Sequence, residues 1–141
     1  MTTNMITTTT CLSGLLAAVA EHLAVFADVP MPVLVNTYAG WCNEEPVTFQ
    51  LDCETTLSEL SRSMLAWADT LTGVTASVYR YERADGDRMH LYVYGQLTDG
   101  TKVAVYGAAD YLAAVGLESG TRRSLDLAEL KAWAADRAVA A

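Results

Sequence analysis

Six ring-bearing residues, Tyr79, Tyr81, His90, Tyr92, Tyr94 and Tyr106, stand on one parity within three alternating runs of residues 74–107. Strand side chains point alternately to the two sides of a sheet, so this spacing collects the rings on one face. Tyrosines offer large, stiff, amphipathic surface, which suits a protein interface or a platform on which bases stack. Arg83 and Arg88, with Lys102, lie close enough in sequence to supply cations for an anionic ligand. Plainer readings stand beside these. A helix can cover such a face, tyrosines pair across strands because they are good strand formers, and hairpin charges guard edges and aid solubility.

A second group is acidic. Residues 41–60 hold Glu44, Glu45, Asp52, Glu54 and Glu59 with no Lys or Arg, a patch that could meet a basic partner. Acids near a helix start are also favoured by the helix dipole, which accounts for Glu54 and Glu59 without a partner. Their spacing matches no metal-ligand motif, so no metal is expected. Trp41-Cys42 resembles half of a thioredoxin-type site, but Glu45 stands where the second cysteine belongs. His22 and His90 sit in no H-E-x-x-H frame, and a lone strand histidine beside Tyr81 is commonly a structural hydrogen-bonder. Phosphate-loop, dinucleotide and G-x-S-x-G patterns are missing. The sequence therefore assigns no catalytic residue and no cofactor.

The elements that position these residues follow from periodicity. Leu12, Leu15, Leu16, Val19, Leu23 and Phe26 predict a helix over 12–27 that Pro30 and Pro32 terminate. Residues 33–39 and 47–53 read as the strands of a first hairpin around a loop at 40–46. Thr56 and Glu59 have capping-box spacing before a second helix whose apolar face is Leu57, Leu60, Met64, Trp67 and Leu71. Two Asp-Gly pairs then divide residues 74–107 into three strands. A two-residue turn at Asp85-Gly86 pairs Tyr81 with His90, Tyr79 with Tyr92, Ser77 with Tyr94 and Val78 with Val93. At Asp99-Gly100 the same turn would oppose tyrosine to valine. A three-residue loop, Thr98-Asp99-Gly100, with a glycine bulge instead pairs Tyr92 with Tyr106 and Val93 with Val105. A short helical turn over 109–115 is stopped by Gly116. Asp126, Glu129, Leu125 and Leu130 then mark the start of a last helix.

The expected fold is α+β, an antiparallel sheet of about five strands with helices packed on it, in the order α-β-β-α-β-β-β-α. Residues 1–9 read as a flexible tail and 10–141 as one domain, a size that supports a single core. With 52% hydrophobic and 18% charged residues the chain is far from disordered compositions. A net charge of -8 opposes general binding to nucleic acid, so none is expected as a partner. Three cysteines without C-x-x-C spacing fit a reducing cytoplasm. The apolar run 12–20 has no preceding Lys or Arg and stops at Glu21-His22, so neither a leader nor a membrane span is expected.

The Thr-rich start, the runs 15–23 (LLAAVAEHL) and 65–71 (LAWADTL), the stretch 93–101 (VYGQLTDGT) and the closing 130–134 (LKAWA) together resemble uncharacterised small proteins of actinobacteria, often encoded on integrative elements or phages. That resemblance implies an accessory protein of a mobile element. The functional expectation is a non-enzymatic interaction or regulatory module that meets a protein partner or a second copy of itself. The alternative is a binder of small ligands or single-stranded nucleic acid that uses the tyrosine face.

Overall fold

The fold is known from a computed structural model, which describes residues 11–39, 45–52 and 56–135. Its elements are α1 (Leu12–Val25), β1 (Leu34–Thr37), β2 (Val47–Gln50), α2 (Leu57–Ala68), β3 (Thr72–Tyr81), β4 (Arg88–Gln96), β5 (Lys102–Asp110), a 3-10 turn (Ala113–Val115), β6 (Arg122–Leu125) and α3 (Leu127–Ala135). The strands form one sheet in the order β1-β2-β5-β4-β3-β6. Strict alternation along β4 decides what the sheet buries: Met89, Leu91, Val93 and Gly95 go inward, whereas His90, Tyr92 and Tyr94 stay half-buried on the other side. Val103 and Val105 of β5, Val47 and Phe49 of β2 and Ala76 and Val78 of β3 complete the inner face.

α2 lies on that inner face. Leu57, Leu60, Met64 and Trp67 are almost fully buried, each side chain contributing roughly 1.5–3 kcal/mol by leaving water. The helix starts where its capping box predicts, with Thr56 Oγ1 accepting the Glu59 N–H at 3.1 Å. Trp67 ties in the first helix: its ring is 4.7 Å from Phe49 and 5.9 Å from His22, and its Nε1–H donates to the Pro30 carbonyl at 2.9 Å. α3 packs on α2, where the Ser58 hydroxyl donates to the Ala134 carbonyl at 3.0 Å. No helix among the described residues is long and apolar enough to cross a membrane.

The α+β class stands and the element order matches as far as β5, with two corrections to the sheet. It has six strands, and it is mixed, because β2 runs parallel to β5. α2 carries the chain from β2 across β5 and β4 to β3, so β3 resumes the direction of β2, and two hairpin reversals then give β5 that direction too. The sixth strand, Arg122–Leu125, falls between the helical turn and the last helix, where the sequence predicts no element. Only Leu125 of its four residues is buried, so ladder bonds to β3 define it and hydrophobic alternation does not.

Register differs at one hairpin and agrees at the other. Tyr92 opposes Tyr106 and Val93 opposes Val105, as the glycine-bulge loop predicts, with Gly100 at φ +90°. Between β3 and β4 the pairs are instead Tyr81–Arg88, Tyr79–His90, Ser77–Tyr92 and Val78–Leu91. Arg83 and Gly86 exchange backbone hydrogen bonds at 3.2 and 3.1 Å, so the turn's tip is Ala84-Asp85, one residue earlier than expected. Moving a turn by one residue moves the pairing by two, which preserves the faces. Arg80 holds this end of the hairpin, donating from Nε to Asp87 Oδ2 at 2.8 Å and from a terminal nitrogen to the Leu117 carbonyl at 2.6 Å. The tail 1–9, most of the loop 40–46 and Cys53 lie outside the described residues.

Gly95 is where sheet and helix connection come closest. A Cβ there would sit 2.8 Å from Leu71 Cβ and 3.1 Å from the Thr72 carbonyl oxygen, neither of which can swing away as a side-chain tip would. Gly95→Ala therefore destabilises the fold by about 1–3 kcal/mol through overpacking. Urea denaturation measures it, and an unchanged midpoint would show that β4 and the start of β3 can separate freely.

Candidate functional site

β3, β4 and β5 bring Tyr79, Tyr81, His90, Tyr92, Tyr94 and Tyr106 to the face opposite the helices, and all six are half-buried. Among the described residues no helix lies over them. Their rings lean on one another. Tyr92 and Tyr94 are parallel within 3° at 5.8 Å between centroids, Tyr79 and Tyr81 within 13° at 6.0 Å, and Tyr92 and Tyr106 within 24° at 5.6 Å. His90 sits inside the array, 4.6 Å from Tyr81 and 5.6 Å from Tyr106, with Nδ1 3.3 Å from the Tyr92 hydroxyl. Tyr106 donates its O–H to Gln50 Oε1 at 2.9 Å, which joins β2 to the network.

The charges are arranged differently from the sequence reading. Arg88 Nη1 donates to Asp110 Oδ1 at 2.7 Å, and Arg83 lies 3.4 Å from Asp85 beside the turn, so both cations face a carboxylate. The cation placed over the rings is Arg122. Its guanidinium carbon is 4.6 Å from the Tyr92 ring centroid and 5.4 Å from that of Tyr79, while Nη1 donates to Ser77 Oγ and the Tyr94 hydroxyl, both at 3.2 Å. No carboxylate among the described residues pairs with it. Sequence reasoning misses Arg122 because the β6 segment carries no hydrophobic pattern; the Arg122-Arg123 doublet is its one signal. Its neighbour Arg123 points to the inner side and pairs with Glu129 at 2.9 Å.

Of the residues that the strands direct to this face, Arg88, Lys102 and Arg122 are cationic and Asp110 is acidic, so the face is positive on a chain of net charge -8. Of the acidic patch, three residues are described. Glu44 and Glu54 lie outside the described residues, Glu45 is half-buried beside β2, Asp52 is exposed, and Glu59 serves the α2 cap. A hollow of about 190 Å³ opens at the β2–β5 side of the rings, bordered by Gln50, Tyr81, Arg83, Arg88, His90 and Tyr106.

Comparison with protein-family models, with curated proteins and with solved structures finds no match to this chain. Function is therefore read from chemistry and geometry alone.

Burial holds the His90 imidazole below the ordinary histidine range, and the positive fields of Arg88 and Arg122 push it the same way. Burial lowers His22 also, whose Nε2 lies 2.9 Å from Thr70 Oγ1. Burial and the neighbouring Tyr92 raise Tyr106. Both histidines bind protons more weakly folded than unfolded, so their contribution to stability is complete above the unfolded value of about 6.5 and is lost as pH falls through it towards the folded values. Denaturation midpoints should therefore decline from pH 7.5 to 5.5, and His90→Gln should flatten part of that decline. A slope unchanged in His90→Gln would mean that the ring titrates as it does in water.

Proposed function

We propose that the protein is a non-enzymatic interaction module whose tyrosine face receives a carboxylate-bearing segment of another protein. The carrying observation is the uncovered ring array with Arg122 laid over Tyr92 and lacking a carboxylate of its own among the described residues. Arg122 already rests over the Tyr92 ring, which favours contact through ring edges and hydroxyls there over the flat stacking that bases require. Rigid tyrosines lose little entropy on binding, and a guanidinium already held by Ser77 and Tyr94 can engage an incoming carboxylate with its remaining N–H groups. The positive face favours an acidic segment. An accessory role for a mobile element, as the sequence resemblance implies, accords with a protein that works by association.

The hollow beside His90 favours a second reading, a small polar ligand held by Tyr81, Arg83 and Gln50. Peptide display against the purified chain separates the two. Selected peptides should be rich in Asp and Glu, and Arg122→Glu and the double variant Tyr92→Ala with Tyr94→Ala should each weaken them about tenfold or more while thermal unfolding stays cooperative. Peptides indifferent to both variants would refute the proposal. Thermal stabilisation by small carboxylates that His90→Ala abolishes, without acidic peptide binding, would favour the hollow.

A further inference from the structure

The two edges of the sheet are finished differently. β6 closes one edge with four residues, two of them arginines, a usual protection against edge-to-edge pairing. β1 forms the other edge, and residues 29–39 around it contain no charged side chain. Every large hydrophobic residue left exposed among the described residues falls between Leu12 and Tyr38. Leu12 and Leu16 lie on α1, which packs beside β1, while Met31, Val33, Leu34 and Tyr38 line β1 and its approaches. Exposed apolar side chains gathered along a sheet edge signal association.

Backbone parity shows what the edge offers. The Tyr38 N–H donates to the Pro46 carbonyl at 2.7 Å, and Leu34 and Asn36 share its parity in the β1–β2 ladder. These residues turn their peptide groups towards β2, so Val35 and Thr37 turn theirs outward. Among the described residues, no backbone bond from outside the β1–β2 ladder reaches Val35 or Thr37.

We propose that β1 is a homodimer edge, on which two copies of this chain pair antiparallel about a two-fold axis at Asn36. Val35 of one copy then exchanges hydrogen bonds with Thr37 of the other, and Leu34 opposes Tyr38 on the tyrosine side of the sheet. α1 meets its counterpart on the helical side. A second copy fits because the edge complements itself. Pairing about Asn36 sets Val35 on Thr37 and Leu34 on Tyr38, and residues 29–39 bring no charged side chain against their own copies, which matters for a chain of net charge -8. The dimer leaves each tyrosine face open, so it stands apart from the peptide proposal.

Sedimentation of the purified full chain should show a dimer at micromolar concentration. Val33→Lys with Leu34→Lys, and separately Thr37→Pro, which removes an outward N–H, should each weaken it about tenfold or more. Asn36→Cys in a background with Cys11, Cys42 and Cys53 changed to serine should form a linked dimer with oxidised glutathione, since facing residues of this pair type bring their Cα atoms within disulfide reach. A monomeric wild type, a dimer that survives both edge variants, or one that dissociates only in Tyr92→Ala with Tyr94→Ala would overturn the proposal. Failure of the Asn36→Cys variant to cross-link would overturn the axis at Asn36.

Discussion

Met89, Leu91 and Val93 leave β4 no choice of faces. All three are essentially fully buried against the helical layer, so the residues between them, His90, Tyr92 and Tyr94, must stand on the other side. β4 is flanked by β3 and β5, and each neighbour inherits its parity through the ladder. The aromatic array is thus a consequence of core burial. A one-residue slip of β4 would bury a histidine and two tyrosines against α2 and expose three apolar side chains, a cost that fixes register far more firmly than the tyrosines could. The same constraint explains Gly95 and Gly107, which sit on the inner parity where Leu71 and Leu60 press on the sheet.

How much was legible in the sequence follows from which interactions are local. Capping of α2 by Thr56 and the bulge at Gly100 depend on neighbouring residues, and both lie where spacing put them. Faces were legible because alternation is a local pattern, and they survived a turn misplaced by one residue. The parallel β2–β5 pair was not legible, since a crossover leaves no turn between the strands it brings together. β6 was not legible either, because a four-residue edge strand with one buried side chain has hardly any pattern to display. Arg122 reaches the site by tertiary pairing with β3, over more than forty residues, and no spacing rule anticipates such a neighbour.

Arg122 alters the electrostatics expected of the site more than it alters the shape. Arg83 and Arg88, the cations that proximity in sequence suggests, have Asp85 and Asp110 to face. Arg122 instead rests on aromatic rings and neutral hydroxyls, which orient a guanidinium without neutralising it. Burial, aided by the fields of Arg88 and Arg122, holds the His90 imidazole below the ordinary histidine value, so near neutral pH the array presents hydroxyls, one neutral imidazole and a fixed positive charge.

Binding at the ring face requires that face to be open to solvent. Nitration of the purified chain by tetranitromethane, mapped residue by residue, tests this most directly, with the same tyrosines in the urea-unfolded chain as the reactive reference and Tyr111, whose hydroxyl accepts the Leu117 N–H at 3.0 Å, as the protected one. Tyr92 and Tyr94 should react at rates nearer to those of the unfolded chain. Protection of both at the level of Tyr111 would mean that another part of the chain covers the face, and would contradict the account.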